Sequence, residues 1–148
     1  MTQNDEATRM VIEQMKQIYT DKVIEHTFNM HNRGDIPQAD AYAKITGPCG
    51  DTIQMWLKVN NGKIFRATFE PEGCATTIAC GSMAAEMITG KNVMEAARIS
   101  QADILEALGG LPEVNQHCAL LAADTIKATV SDYLATKNAP WKKMYRIK

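Results

Sequence analysis

Ile53-Gln54-Met55-Trp56-Leu57-Lys58-Val59-Asn60-Asn61-Gly62-Lys63-Ile64-Phe65-Arg66-Ala67-Thr68-Phe69 reads as a β-hairpin. Ile53, Met55, Leu57 and Val59 fall on alternate positions, so one face of the first strand is apolar. Asn60-Asn61-Gly62-Lys63 supplies the turn, because Asn-Gly tolerates the positive φ angles that a two-residue hairpin needs. Ile64 to Phe69 returns as the second strand. Upstream, Ala41-Tyr42-Ala43-Lys44-Ile45-Thr46 is a further strand, which completes a three-stranded antiparallel meander.

Outward from the sheet the pattern becomes helical. Residues ~5–29 carry Val11, Met15, Ile18, Ile24 and Phe28 in a loose helical stripe, and Thr20-Asp21 has the character of an N-cap that would split the stretch into two helices. Asn32, Gly34 and Pro37 make residues 29–40 a turn-rich connection. After Cys74, a helix with Ala75, Ile78, Ala79, Met83 and Met87 on its inner face is closed by Gly90. Short helices are expected near 92–98 and 101–108. Gly109-Gly110-Leu111-Pro112 then breaks the chain. A long helix follows from about 117 to 136, with Ala119, Ala122, Ile126, Val130 and Tyr133 inward. The class is therefore α+β, with helices packed on one face of the sheet.

The 148 residues suit one domain with a sizeable core, and a formal charge of −1 gives no basic excess for nucleic acid. No apolar run is long enough for a membrane span, and Met1 to Glu6 lack the basic-then-apolar pattern of a signal peptide. These features predict a cytoplasmic protein, where thiols stay reduced and cysteines serve as metal ligands, nucleophiles or buried hydrophobes.

The chemistry sits on cysteines. Cys49 lies in Gly47-Pro48-Cys49-Gly50-Asp51, where glycines let backbone approach a bulky ligand and Asp51 places a carboxylate beside the thiol. Cys74 opens one predicted helix, and Cys118, after His117, opens another. The partial positive charge of a helix N-terminus favours thiolate, so all three are expected to be activated, with Asp51 or His117 as a fourth ligand. Thiolates with a carboxylate and an imidazole suit a transition metal. Cys80, six residues after Cys74, falls about 240° around a helix from it and is expected to be a buried bystander. His26 and His31 read as surface or locally capped residues, and the nine methionines as core. Separations of 25, 6 and 38 residues exclude a C-x-x-C pair, and the zinc-deaminase, H-E-x-x-H, P-loop and G-x-G-x-x-G motifs are absent.

Taken in order, Y-x-x-x-V-I-x-H (Tyr19 to His26), P-C-G-D (Pro48 to Asp51), the Asn-Gly hairpin, G-C-A-x-x-I-A (Gly73 to Ala79) and H-C-x-x-L-A-x-D-x-I-K-A (His117 to Ala128) resemble the IscU/NifU-type iron–sulfur cluster scaffold family. The resemblance spans roughly residues 19–136. It implies an IscU/SufE-like fold and a domain over residues 19–137, flanked by an N-terminal helical extension (1–18) and a basic C-terminal tail (138–148). It also implies a transient 2Fe–2S cluster held by Cys49, Cys74 and Cys118, with Asp51 making it labile and His117 as an alternative ligand. Zinc occupies such ligand sets readily and is an alternative occupant of the isolated protein. The implied partners are a cysteine desulfurase that donates sulfur and the recipient apo iron–sulfur proteins. Neither nucleic acid nor membrane is implied, and a homo-oligomer is compatible with the sequence.

Four departures stand out. Leu111-Pro112-Glu113-Val114-Asn115 occupies the place of the usual L-P-P-V-K, which weakens the expectation of a dedicated Hsp70 chaperone. Cys80 replaces a small residue, residues 1–18 extend the N-terminus, and Asn29 to Gly34 lack the usual N-P-R-N proline. The alternative is a SufU-type protein, a zinc-binding sulfur acceptor with sulfurtransferase activity. Such proteins typically have a longer insert before the last cysteine and no adjacent histidine. Here 43 residues separate Cys74 from Cys118, and His117 is present. A structural zinc module would need closely spaced cysteine pairs, which are absent.

Overall fold

The computed structural model describes residues 6–139. Its order is α1 (Glu6–Met15), α2 (Asp21–Phe28), β1 (Ala41–Thr46), β2 (Thr52–Asn60), β3 (Lys63–Glu72), α3 (Ala75–Ile88), α4 (Val93–Ala97), α5 (Gln101–Leu108), a 3-10 turn (Glu113–Asn115) and α6 (His117–Asn138). The fold is α+β, and the sheet runs β1-β2-β3, antiparallel throughout.

The hairpin forms as its residues dictate. Asn61 (φ 54°) and Gly62 (φ 76°) both take the left-handed conformation of the tight turn. Ile53, Met55 and Leu57 are fully buried on the helix side, while a register shift at Lys58/Val59 leaves Val59 half-buried. The opposite face is partly covered. The connection before β1 folds Ile36 and Ala39 over Trp56, with Tyr42 beside them.

α6 lies along β1 and β2, and α3 along β3. Gly81 brings α3 close: a β-carbon there would stand 2.7 Å from the Phe69 ring. Phe69 is itself fully buried, so its truncation to Ala would cost about 3–5 kcal/mol.

α3 departs from the expected one-sided stripe. Thr76, Thr77 and Ala79 to Ala85 are all buried, whereas Ala75, Ile78 and Met87 are only half-buried. The reason is packing on several sides: α2, α5 and α6 all touch α3, so almost its whole circumference is interior and periodicity gives no clear inner face. On α6, Ala119, Ala122, Ile126 and Val130 are buried as expected, and Tyr133 is half-buried.

Thr20 caps α2, accepting from the Val23 N–H at 3.2 Å, and its hydroxyl also donates to the Leu108 carbonyl. α1 buries no residue, and Met10 and Val11 on it, with Ile18 just beyond, are exposed. The stripe seen there in the sequence therefore serves no core. His26 is a correction: it is fully buried, because the inner face of α2 packs it onto α3. Among the described residues, no helix is long and apolar enough to cross a membrane. The aromatic and basic part of the C-terminal tail, Trp141 to Lys148, lies outside the described residues.

Candidate metal centre

Three chain segments meet at the site. The first is the β1–β2 turn. It closes through Gly47 N–H to the Asp51 carbonyl (2.8 Å) and Gly50 N–H to the Gly47 carbonyl (3.0 Å), with Gly50 at φ 86°. Thr46 and Thr52 pair across its base, so Asp51 leaves the sheet at a fixed position. The second segment is the start of α3, where Cys74 is the extended N-cap residue. The third is the start of α6, where His117 and Cys118 are the first two residues.

Two threonines on the first turn of α3 form the floor. Thr76 Oγ1 lies 3.0 Å from Cys74 Sγ and 3.2 Å from Cys118 Sγ. Thr77 Oγ1 donates a short hydrogen bond to Asp51 Oδ2, and lies 3.6 Å from Cys74 Sγ and 3.5 Å from Cys118 Sγ. Cys74 Sγ also faces Asp51 Oδ2 at 3.7 Å, and His117 Nε2 lies 3.7 Å from Cys118 Sγ. Donor atoms of Asp51, His117 and Cys118 fall within 4.8 Å of one another.

The structure thus brings Asp51, Cys74, His117 and Cys118 together. Cys49 stands exposed in the same turn, two residues before Asp51, and is not in that close donor group. Cys80 is fully buried, as expected of a bystander, and burial pushes its thiol pKa far up.

Cys74 and Cys118 are not equally activated, which corrects the sequence expectation. At Cys74, burial acts to raise the pKa, but polar contacts with the Thr76 and Thr77 side chains and backbone N–H groups outweigh it and lower it. At Cys118, burial dominates over the same hydroxyls and raises the pKa. A helix start alone does not make a thiolate when the sulfur is out of water.

The threonines were missed in the sequence. Their signal was present, since positions two and three after an N-cap lie beside the capping side chain, but Ser and Thr at a helix start usually signify capping.

A second donor group, His26, His31 and Glu86, also has ligand atoms within 4.8 Å. Its imidazoles stack, with centroids 4.3 Å apart and planes 31° from parallel. His26 Nδ1 and the His31 ring nitrogens do not depend on an ion for partners. Instead, His31 meets Glu86 at 2.6 Å and Glu25 at 3.3 Å. Ser82 Oγ accepts the His31 backbone N–H at 2.8 Å and lies 2.7 Å from His26 Nδ1. The group ties α2, the following turn and α3 together.

Comparison with known proteins gives the family and the fold. Residues 18–140 match the family model described as NifU-like N terminal domain. The chain is 42% identical over 117 residues to the iron-sulfur cluster assembly scaffold protein IscU 1 of Archaeoglobus fulgidus, covering 78% of this chain and 76% of that protein. It is 36% identical over 139 residues to the iron-sulfur cluster assembly enzyme IscU of Drosophila melanogaster, covering 86% and 90%. Among solved structures, the N-terminal NifU-like protein of Brucella abortus shares the fold, with a TM-score of 0.64 at 24% identity over 82% of this chain and 97% of that one.

Proposed function

The chain belongs to the NifU-like N-terminal domain family and is an iron–sulfur cluster assembly scaffold, and from that premise we propose that Cys49, Cys74 and Cys118 hold a transient 2Fe–2S cargo, with Asp51 or His117 as the fourth ligand. The observation that carries this assignment is the convergence of Asp51, Cys74, His117 and Cys118 from three separate segments, and Cys49 joins them by its exposed place in the turn that carries Asp51.

The donor set fits the cargo. Thiolates hold iron–sulfur cores, and a single carboxylate or imidazole leaves one position weaker and more exchangeable. Cys74 is exposed and its pKa is lowered, so it is a thiolate suited to take sulfur from a cysteine desulfurase. Its sulfur attacks the outer sulfur of the donor's persulfide, and the donor's cysteine leaves as a thiolate. Conversion of that sulfane sulfur to bridging sulfide requires two electrons from a separate reductant. Recipient apo iron–sulfur proteins then take the finished cargo, so the protein acts as a carrier and not as an enzyme. Zinc occupies the same ligands when iron and sulfide are withheld.

Residues 19–137 form the working unit, which is supported by the lack of any buried residue on α1. Reduced thiols are required, which suits the cytoplasm. A dedicated Hsp70 partner is not favoured, since Glu113 and Asn115 replace the usual proline and lysine. His117 beside Cys118 favours the scaffold over a zinc-dependent sulfur acceptor.

The test is desulfurase-driven assembly under anaerobic conditions with iron and cysteine. Wild-type protein develops the visible absorption of a 2Fe–2S cluster, and Cys49→Ser, Cys74→Ser and Cys118→Ser each abolish stable assembly. Normal assembly in all three variants would refute the ligand assignment.

A further inference from the structure

Asp51 has two partners on one oxygen, a thiol and a hydroxyl. Its Oδ2 is the oxygen that faces Cys74 Sγ, at 3.7 Å, and the same oxygen accepts the short hydrogen bond from Thr77. Thr77 is fully buried and sits within the first turn of α3, so its hydroxyl cannot follow the carboxylate if Asp51 moves. Gly73 holds the other side open: a β-carbon there would lie 2.7 Å from Asp51 Cγ and 2.9 Å from Oδ2. The carboxylate is therefore folded down onto the helix start, and its thiol-facing oxygen is occupied.

We propose that Thr77 is a positioning residue, a latch that holds Asp51 off the metal, and that exchange of Asp51 between Thr77 and bound metal sets how readily the site opens. This rests on the ligand assignment above and adds a residue that the assignment does not need. With Asp51 on the metal the site is closed. With Asp51 returned to Thr77, one coordination position is free for an acceptor's thiolate. A hydroxyl suits the task because it offers a hydrogen bond to a carboxylate but no charge that would hold it permanently.

The latch makes a signed prediction about metal affinity. In the metal-free protein the Thr77 bond competes with ligation, so its removal raises apparent affinity by the fraction of Asp51 it sequestered. Thr77 also touches Cys74 and Cys118, so the comparison must be made with and without Asp51.

Cobalt(II) titration under anaerobic conditions, followed by thiolate-to-metal absorption, is performed on wild type, Thr77→Val, Asp51→Ala and the double variant. Thr77→Val is expected to tighten binding in the Asp51 background by about tenfold more than it does in the Asp51→Ala background. Thr77→Ser, which restores the hydroxyl, should stay within about twofold of wild type. Equal effects in both backgrounds would overturn the latch. So would a weaker affinity confined to the Asp51 background, which would mean that Thr77 supports Asp51 while it is bound. No thiolate absorption in wild type would overturn both the latch and the ligand assignment, so the two failures are distinguishable.

Discussion

Asp51 occupies the space in which Gly73 would carry a side chain. A β-carbon on Gly73 would stand 2.7 Å from Asp51 Cγ and 3.0 Å from Oδ1. The glycine before Cys74 thus admits the carboxylate, and the strand end, the turn and the helix start are fitted to one another. Gly73 is not among the positive-φ residues, so alanine there meets no backbone strain and acts on Asp51 alone. Gly73→Ala is expected to fold with a stability loss of about 1 kcal/mol or less but to displace Asp51. Urea unfolding checks the first part. A change in metal-binding affinity that disappears in the Asp51→Ala background checks the second.

On the proposed assignment, Asp51→Ala removes the harder, weaker ligand and leaves the fourth position to His117, which has no Thr77 to return to, so the exchange that opens the site is lost. Cluster loss and transfer to an acceptor should slow, by about tenfold if one ligand-exchange step limits release. Transfer rates equal to wild type would remove Asp51 from the release mechanism.

Much of this was legible in the sequence. The Asn61-Gly62 turn and the alternation of Ile53, Met55 and Leu57 specify the hairpin because each uses a local backbone rule. Asp51, Cys74, His117 and Cys118 are legible from motif context, whereas their assembly depends on tertiary packing. What was not legible depends on environment. His26 looked like a surface residue because nothing local shows that its side of α2 faces α3. The difference between Cys74 and Cys118 was hidden because both begin helices, and only the three-dimensional structure shows that one sulfur is in water and the other is not.

The thiols should therefore react in a defined order. Cys74, with its pKa lowered, carries thiolate at pH values below its ordinary 9.0 and should alkylate with a half-maximal pH beneath that value. Cys49, exposed, should also label readily. Cys118 should lag, since its folded-state pKa is raised and its sulfur is buried. Cys80 should label only on unfolding, and Cys80→Ala should leave cluster yield within about twofold of wild type. Mass spectrometry of time-resolved native alkylation checks the order. Early labelling of Cys80 would contradict it.

Stability should fall in mild acid through His26. Burial lowers its pKa, and the neighbouring His31 lowers it further, against the opposing pull of Glu86 and Glu25. The unfolded chain takes up a proton near 6.5, where the folded chain does not, so the unfolded state binds more protons below that pH. The stability present above pH 6.5 is therefore lost progressively as the pH drops through and below it. An NMR titration should place the His26 imidazole transition below 6.5, and the urea midpoint should decline over the same range. A transition above the ordinary value would reverse the sign and refute the argument.

The central claim is that this site builds a cluster in order to give it away. The most direct measurement is to load the protein anaerobically with iron and sulfide, mix it with an apo-ferredoxin-type acceptor, and follow the cluster by visible circular dichroism. The account predicts a 2Fe–2S spectrum on the scaffold first, with matching iron and acid-labile sulfide, then its replacement by the acceptor's spectrum. A site that takes up only zinc, or a cluster that stays on the chain when a competent acceptor is present, would contradict it.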